Sequence, residues 1–200
     1  MIALLVLPIA YLLGTIPFGY LLVKMKTGAD VRGSGSGNIG ATNVLRTTGR
    51  AAGIATLLLD IGKGYLAVWI AGQLTEMSPL WMSAAALAVM LGHAFPVFLG
   101  FRGGKAVASF VGAFLCLTPL ALAVVTVVFV GVVIWTRYIS LASIVGAVTF
   151  PLAVWLMMMP PLSIVVASVV ACCFIIYRHS SNIERLRQGN ENRFSFGGRK

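Results

Sequence analysis

Acid is what this chain has least of. Only five of its 200 residues are Asp or Glu, namely Asp30, Asp60, Glu76, Glu184 and Glu191. They are scattered, which argues against a carboxylate cage for a metal ion. The three cysteines, Cys116, Cys172 and Cys173, sit inside apolar runs without metal-ligand spacing, so they read as small packing residues. No metal and no other cofactor is expected. The chain also lacks a Gly-x-Ser-x-Gly sequence and any comparable Ser/His/Asp pattern, so nothing supports a covalent acyl-enzyme. Charge of either sign is thin. Charged residues make up 10% and hydrophobic ones 59%, where a soluble domain has about 25% and about 45–50%. With a mean hydropathy of +0.97, this composition excludes an ordinary soluble domain and predicts an all-α polytopic membrane protein.

What charge there is has one sign. Fifteen Lys and Arg against five acids give a net charge of +10. The basic residues lie in short loops and a tail, with no aromatic-and-basic face, so nucleic acid is not the expected partner. A field that attracts anionic membrane lipids and phosphorylated substrates fits better.

Apolar runs fall near 2–23, 54–72, 80–99, 106–117, 119–136, 140–158 and 162–177. Most approach the roughly 20 residues needed to cross a bilayer. The first run has no basic residue before it and no obvious cleavage site, and reads as a retained span. Lys24 and Lys26 follow it, which places the N-terminus outside. If all seven runs cross, residues 24–53, 100–105, 137–139 and 178–200 face the cytoplasm, and they hold every basic residue except Lys63. The fourth run is short. Were it not to cross, Arg137 and the basic tail would both move outside, against the positive-inside rule. The expectation is therefore seven transmembrane helices, helix four short, with the C-terminus cytoplasmic. Residues 1–200 read as a single integral-membrane domain, with 180–200 a cytoplasmic tail. Within that tail NIERLRQ suits an interfacial helix and the terminal GGRK suits disorder.

Four polar clusters share the expected cytoplasmic face. The first is GSGSGNIGATN, residues 33–43, flanked by Arg32 and Arg46. Its glycines permit close backbone approach, and its Ser, Asn and Thr side chains add short donors, a chemistry suited to phosphate. A flexible linker is the alternative, but a linker has no need of Asn38, Thr42, Asn43 or Arg46. The second is GHAFPVFLGFRGGK, residues 92–105. Here Gly103-Gly104-Lys105 is expected to open a helix whose N–H groups, with the lysine, bind an anion. His93, before Pro96 at a helix end, reads as structural. The third is RYISLAS, residues 137–143, and the fourth YRHSSNIER, residues 177–185. His179 either caps the last span or donates to phosphate, with a role as base also open. The H-x4-E pair His179 and Glu184 is a poor dyad, since five residues along a helix turn side chains about 140° apart. Asp60 and Lys63, i and i+3, read as a structural pair. A transporter for a phosphorylated anion is the competing class. It would place polar groups near the midplane at broken helices, where Gly14 and Pro17 offer the best candidate break.

Taken in order, GSGNIGATNVLR (35–46), GHAFPVFLGFRGGKAVA (92–108), RYISLASI (137–144) and YRHSSNIERL (177–186) resemble the motifs of the bacterial membrane-bound acylphosphate:glycerol-3-phosphate acyltransferases. The resemblance implies transfer of a fatty acyl group from acyl phosphate to the 1-hydroxyl of glycerol 3-phosphate, giving lysophosphatidic acid at the bacterial inner membrane. It implies that Ser36, Asn38, Thr42, Asn43 and Arg46, with Gly37 among them, bind phosphate, joined by Gly103 and Gly104. It implies a catalytic set of Lys105, Ser143, His179 and Asn182. The expected partners are the two substrates, membrane lipids and the enzyme that makes the acyl phosphate. Because acyl phosphate is a mixed anhydride with a good leaving group, neutralising two phosphates and aligning the hydroxyl would suffice. The expected route is direct, with a substrate phosphate taking the hydroxyl proton and His179 an orienting donor.

Overall fold

Pro17 interrupts the first apolar run. In the computed structural model, which describes residues 2–195, the run forms α1 (Ile2–Thr15) and α2 (Phe18–Thr27). Proline has no N–H to continue the helix and disfavours helical geometry at the residue before it. The carbonyl of Ile16 is thereby released from the helical ladder, and it accepts a 2.7 Å hydrogen bond from Lys63 Nζ. The two halves still make one apolar stretch, 3–27, long enough to span. Gly28, at φ 72°, ends α2 in the left-handed conformation that glycine adopts without cost.

The remaining helices are α3 (Ala41–Thr48), α4 (Arg50–Leu74), α5 (Pro79–Ala94), α6 (Val107–Leu117), α7 (Pro119–Thr136), α8 (Ile139–Met158), α9 (Leu162–Arg178) and α10 (Ser180–Arg187). Every regular element among the described residues is helical. Pro79 and Pro119 stand in the first turns of α5 and α7, where a missing N–H costs nothing.

The chain divides into two compact units, one ending at Leu117 and the other starting at Thr118. In the first, α4 is the hub, packed by α1, α2, α3, α5 and α6. Glycine sets how closely these helices approach. A Cβ on Gly14 would collide with the Val89 carbonyl and one on Gly92 with the Tyr11 carbonyl, where α1 crosses α5. Gly64 and Gly112 play the same part between α4 and α6, against the carbonyls of Ser109 and Ile61. Hydrocarbon lipid gives little hydrophobic drive for helix association, so close packing through small residues carries it. In the second unit α8 is central, contacted by α7, α9 and α10.

Among the described residues five stretches are long and apolar enough to cross a membrane, and the pair α9–α10, bent by 56°, makes a sixth if counted as one. The protein is thus a multi-pass membrane protein of five to six candidate spans. The fourth expected span is α6, only 11 residues long. At 1.5 Å per residue it extends about 16 Å, roughly half the hydrocarbon core. It is buried along Ser109, Phe110, Gly112, Ala113 and Phe114, against α4 and α5.

One local expectation changes. The Gly103-Gly104-Lys105 segment does not open a helix. Residues 102–106 are irregular, Ala106 takes φ 61°, and α6 starts only at Val107. In the tail the helix expected at NIERLRQ is α10. After α10 the chain returns to the start of α8, where the Phe194 N–H donates to the Arg137 carbonyl at 2.6 Å. The terminal GGRK, with Arg199 and Lys200, lies outside the described residues.

Candidate functional site

The structure distributes the expected functional residues over both units. Ser36, Gly37, Asn38, Thr42, Asn43, Arg46, Gly103, Gly104 and Lys105 belong to the first, and Ser143, His179 and Asn182 to the second.

In the first unit the Gly/Ser loop is wound around one side chain. Asn43 is 2% exposed. Its Nδ2 donates to the carbonyls of Ser34 (3.0 Å) and Asn38 (2.8 Å), with a longer contact to Val31 (3.4 Å), while its Oδ1 accepts from the Ser36 N–H at 2.9 Å. Both amide protons are thus committed within the loop, which leaves no donor for an anion. The sequence expectation that Asn43 binds phosphate is corrected here: Asn43 builds the loop. Gly35 and Gly37 take φ 61° and 71°, and a Cβ on Gly35 would strike Asn43 Oδ1. Asn38 Oδ1 accepts from the Gly40 N–H at 2.8 Å, closing a local turn just before α3.

This arrangement leaves Ser36 and Gly37 exposed at the crest. Helix α3 buries Asn43 and Val44 and turns the other way with Thr42 and the exposed Arg46, which share a face at i, i+4. The positive end of the α3 dipole lies at Ala41–Thr42, and Arg46 adds a cation one turn further along the same helix. Beneath it Val23, Val31, Ile39, Val44, Ala52 and Leu99 form a small core, flanked by Tyr20. Arg32 is occupied otherwise. Its guanidinium pairs with Asp30 at 2.7 Å, lies 5.6 Å from the Tyr20 ring and donates to the Leu99 carbonyl at 3.3 Å. The Arg32 hydrogen bonds hold the Asp30 carboxyl below its usual range, and Asp30 in turn raises Arg32. Arg32 therefore ties the loop to the Val97–Leu99 turn.

That turn leads to the second motif. The Gly103 N–H donates to the Ala94 carbonyl and the Gly104 N–H to the His93 carbonyl, each at 3.1 Å. These amides are spent within the protein, which corrects the expectation that they cradle an anion. The glycines serve close approach instead. A Cβ on Gly103 would meet the His93 carbonyl and Pro96, and one on Gly104 the His93 ring. Half-buried Lys105 follows directly. Behind it lies a group that sequence reading saw only in part. Asp60 Oδ1 stands 2.9 Å from Lys63 Nζ and 3.6 Å from His93 Nδ1, all three residues being at most 4% exposed.

In the second unit His179 sits at the bend between α9 and α10, 2% exposed. Its Nδ1 lies 2.8 Å from the Ile175 carbonyl. A carbonyl only accepts, so Nδ1 carries a proton, and Nε2 is the ring nitrogen left to face another group. Ser143 Oγ donates back to the Ile139 carbonyl at 2.9 Å. Asn182 Nδ2 donates at 2.9 Å to Glu191, which also receives Ser140 Oγ (3.1 Å) and Arg185 Nε (2.8 Å). Burial pushes the Glu191 carboxyl up, but the hydrogen bonds from Asn182, Arg185 and Ser140 outweigh it and hold the group below its ordinary 4.5. Sequence reading missed Glu191. Its signal was a lone carboxylate between Arg185, Arg187 and Arg193. Glu184 is exposed and bonded to Gln188, so the H-x4-E dyad is absent, as the helical spacing required. Among the described residues no three His, Cys, Asp or Glu side chains group as metal ligands would.

A family model described as glycerol-3-phosphate acyltransferase matches residues 4–189. A glycerol-3-phosphate acyltransferase of Geobacter sulfurreducens is 48% identical over 186 residues, 93% of this chain and 94% of that one. One from Geobacter metallireducens is 51% identical over 195 residues, 97% and 98% of the two chains. A crystal structure of PlsY (YgiH), an integral membrane glycerol 3-phosphate acyltransferase, in its glycerol 3-phosphate form superposes with a TM-score of 0.91 at 39% identity, covering 96% of each chain. Its lysophosphatidic acid form gives 0.88 at 38% identity, covering 96% of this chain and 95% of that one.

Proposed function

The chain belongs to the glycerol-3-phosphate acyltransferase family, and we propose that it transfers a fatty acyl group from acyl phosphate to the 1-hydroxyl of sn-glycerol 3-phosphate. The observation that carries this reading is the near full-length likeness to an enzyme solved in a glycerol 3-phosphate form and a lysophosphatidic acid form, substrate and product of such a transfer. The exposed crest of Ser36 and Gly37, with Thr42 and Arg46 on α3, supports it, because both substrates are phosphates. Lys105 adds a second cation, with Asn38 beside the crest.

The hydroxyl oxygen attacks the acyl carbonyl carbon, the bond from that carbon to the phosphate oxygen breaks, and inorganic phosphate leaves. The hydroxyl proton ends on the departing phosphate. No covalent enzyme intermediate is needed. His179, its Nδ1 proton committed to Ile175, orients the hydroxyl through Nε2. Ser143 and Asn182 complete the catalytic set, with Asn182 oriented by Glu191.

The topology proposed with this activity has seven crossings, N-terminus outside, the four polar clusters and the C-terminus on the cytoplasmic side of a bacterial inner membrane. The positive-inside distribution supports it. We treat residues 1–200 as one functional domain, supplied with donor by an acyl-phosphate-forming enzyme of the same pathway. The test offers purified protein glycerol 3-phosphate with acyl phosphate or acyl-CoA in parallel. Lysophosphatidic acid is expected from acyl phosphate. Product from acyl-CoA alone, or from neither donor, sinks the reading, and an acyl-protein adduct under turnover sinks the direct route.

A further inference from the structure

Three buried residues that the transfer chemistry does not use meet in the first unit. Lys63 reaches from the middle of α4 to the Ile16 carbonyl that Pro17 releases, at 2.7 Å. It also pairs with Asp60 one turn earlier, at 2.9 Å. The same Asp60 oxygen faces His93 Nδ1 on α5 at 3.6 Å. A charged pair at this depth is costly, and residues of this kind inside membrane spans commonly serve function. Satisfying a helix break explains Lys63, and neutralising Lys63 explains Asp60. Neither explains a histidine.

His93 has a second attachment. Its carbonyl accepts the Gly104 N–H at 3.1 Å, and its ring lies so close to the Gly104 Cα that no Cβ fits between them. One side chain thus bears on the buried ion pair through Nδ1 and on the residue before Lys105 through the rest of the ring. The segment it supports is irregular and ends in a left-handed alanine, so no helical ladder holds Lys105 in place. We propose that His93, braced by Asp60 and Lys63, is a positioning residue that sets where Lys105 stands. The role in catalysis rests on the acyl-transfer reading above, whereas the effect on the segment does not.

The test pairs two readouts on the full-length protein in detergent. Hydrogen exchange over residues 103–105 needs no substrate, so its result stands whichever donor the enzyme uses. His93→Leu, which fills the volume without a polar atom, is expected to speed exchange there, and His93→Asn, which keeps an amide near the Nδ1 position, to restore protection. Steady-state kinetics with acyl phosphate and glycerol 3-phosphate form the second arm. His93→Leu is expected to lower kcat/KM by roughly 100-fold, the scale of an ångström-size misplacement, and His93→Asn to recover most of it. In a Lys105→Ala background His93→Leu is expected to cost less than about tenfold more, because residues acting through one another are not additive. Unchanged exchange at 103–105, or a second full 100-fold loss in the Lys105→Ala background, overturns the proposal. If His93→Leu does not fold, Asp60→Asn undergoes the same two measurements with the same expectations. A wild-type protein inactive with acyl phosphate defeats the acyl-transfer reading and leaves the exchange result to decide the positioning of the segment.

Discussion

Asn43 and Glu191 show how one side chain can define a polar region. Each is buried and gathers several hydrogen-bond partners, Asn43 from the loop before α3 and Glu191 from α8 and α10. Asn43→Ala removes the centre of the loop and orphans buried groups. The expected loss is about 1–3 kcal/mol, read as a lower unfolding temperature in detergent, together with a raised KM for the phosphate substrates. Glu191 adds a pH dependence. Its native carboxyl titrates below the ordinary 4.5, so the stability it contributes is complete above that value and fades as the pH falls through the lower native one. Glu191→Gln should therefore lower the unfolding midpoint at neutral pH and flatten its acid limb. An unchanged acid limb would refute the assignment of that limb to Glu191. Neither role was legible in sequence. A motif match says that Asn43 matters, but whether an amide faces ligand or backbone depends on the path of the loop. Glu191 finds its partners on α8 and α10, up to 51 positions away in sequence.

At the scale of elements, the helices are mostly legible and their interruptions partly so. Apolar length specifies where α4, α7 and α8 run, and Pro17 marks the break between α1 and α2. What heals that break is a lysine 47 positions on. Lys63→Ala leaves Asp60 buried without its cation and the Ile16 carbonyl with only the longer Phe18 N–H contact, at 3.2 Å. It should cost about 3–5 kcal/mol, and the double change Asp60→Asn with Lys63→Met should recover much of that. Thermal unfolding of the single and double variants decides it, and a double variant no better than the single would refute the account. Glycine offers a contrast within α4. Gly64→Ala drives a Cβ into the Ser109 carbonyl and should destabilise by about 1–3 kcal/mol. Gly62→Ala meets open space and should be neutral or slightly stabilising, since alanine is the better helix former. Sequence alone does not distinguish these two glycines, because the difference lies in what α6 presents to α4.

For the whole molecule the testable property is sidedness. Seven crossings place the termini on opposite sides, and six place them on the same side. Single-cysteine reporters in a cysteine-free background, one in the Glu76 loop and one at Gln188, should label from outside and inside respectively. A Gln188 reporter labelled from outside would mean that α6 does not cross. Composition alone determined that this is a helical membrane protein, because a chain 59% hydrophobic and 10% charged can satisfy its backbone in lipid only through internal hydrogen bonds. The spacing of its basic residues specified the expected orientation, and its motifs pointed to phosphate chemistry. Tertiary structure decided which motif residues stand exposed and which hold the others. It spent the Gly103 and Gly104 amides and the Asn43 side chain inside the protein, left Ser36, Gly37 and Arg46 exposed, and joined His93 to Asp60 and Lys63. The physical reason is that a polar side chain bonds to whatever donor or acceptor the fold brings within about 3 Å, and its own sequence neighbours do not specify that partner.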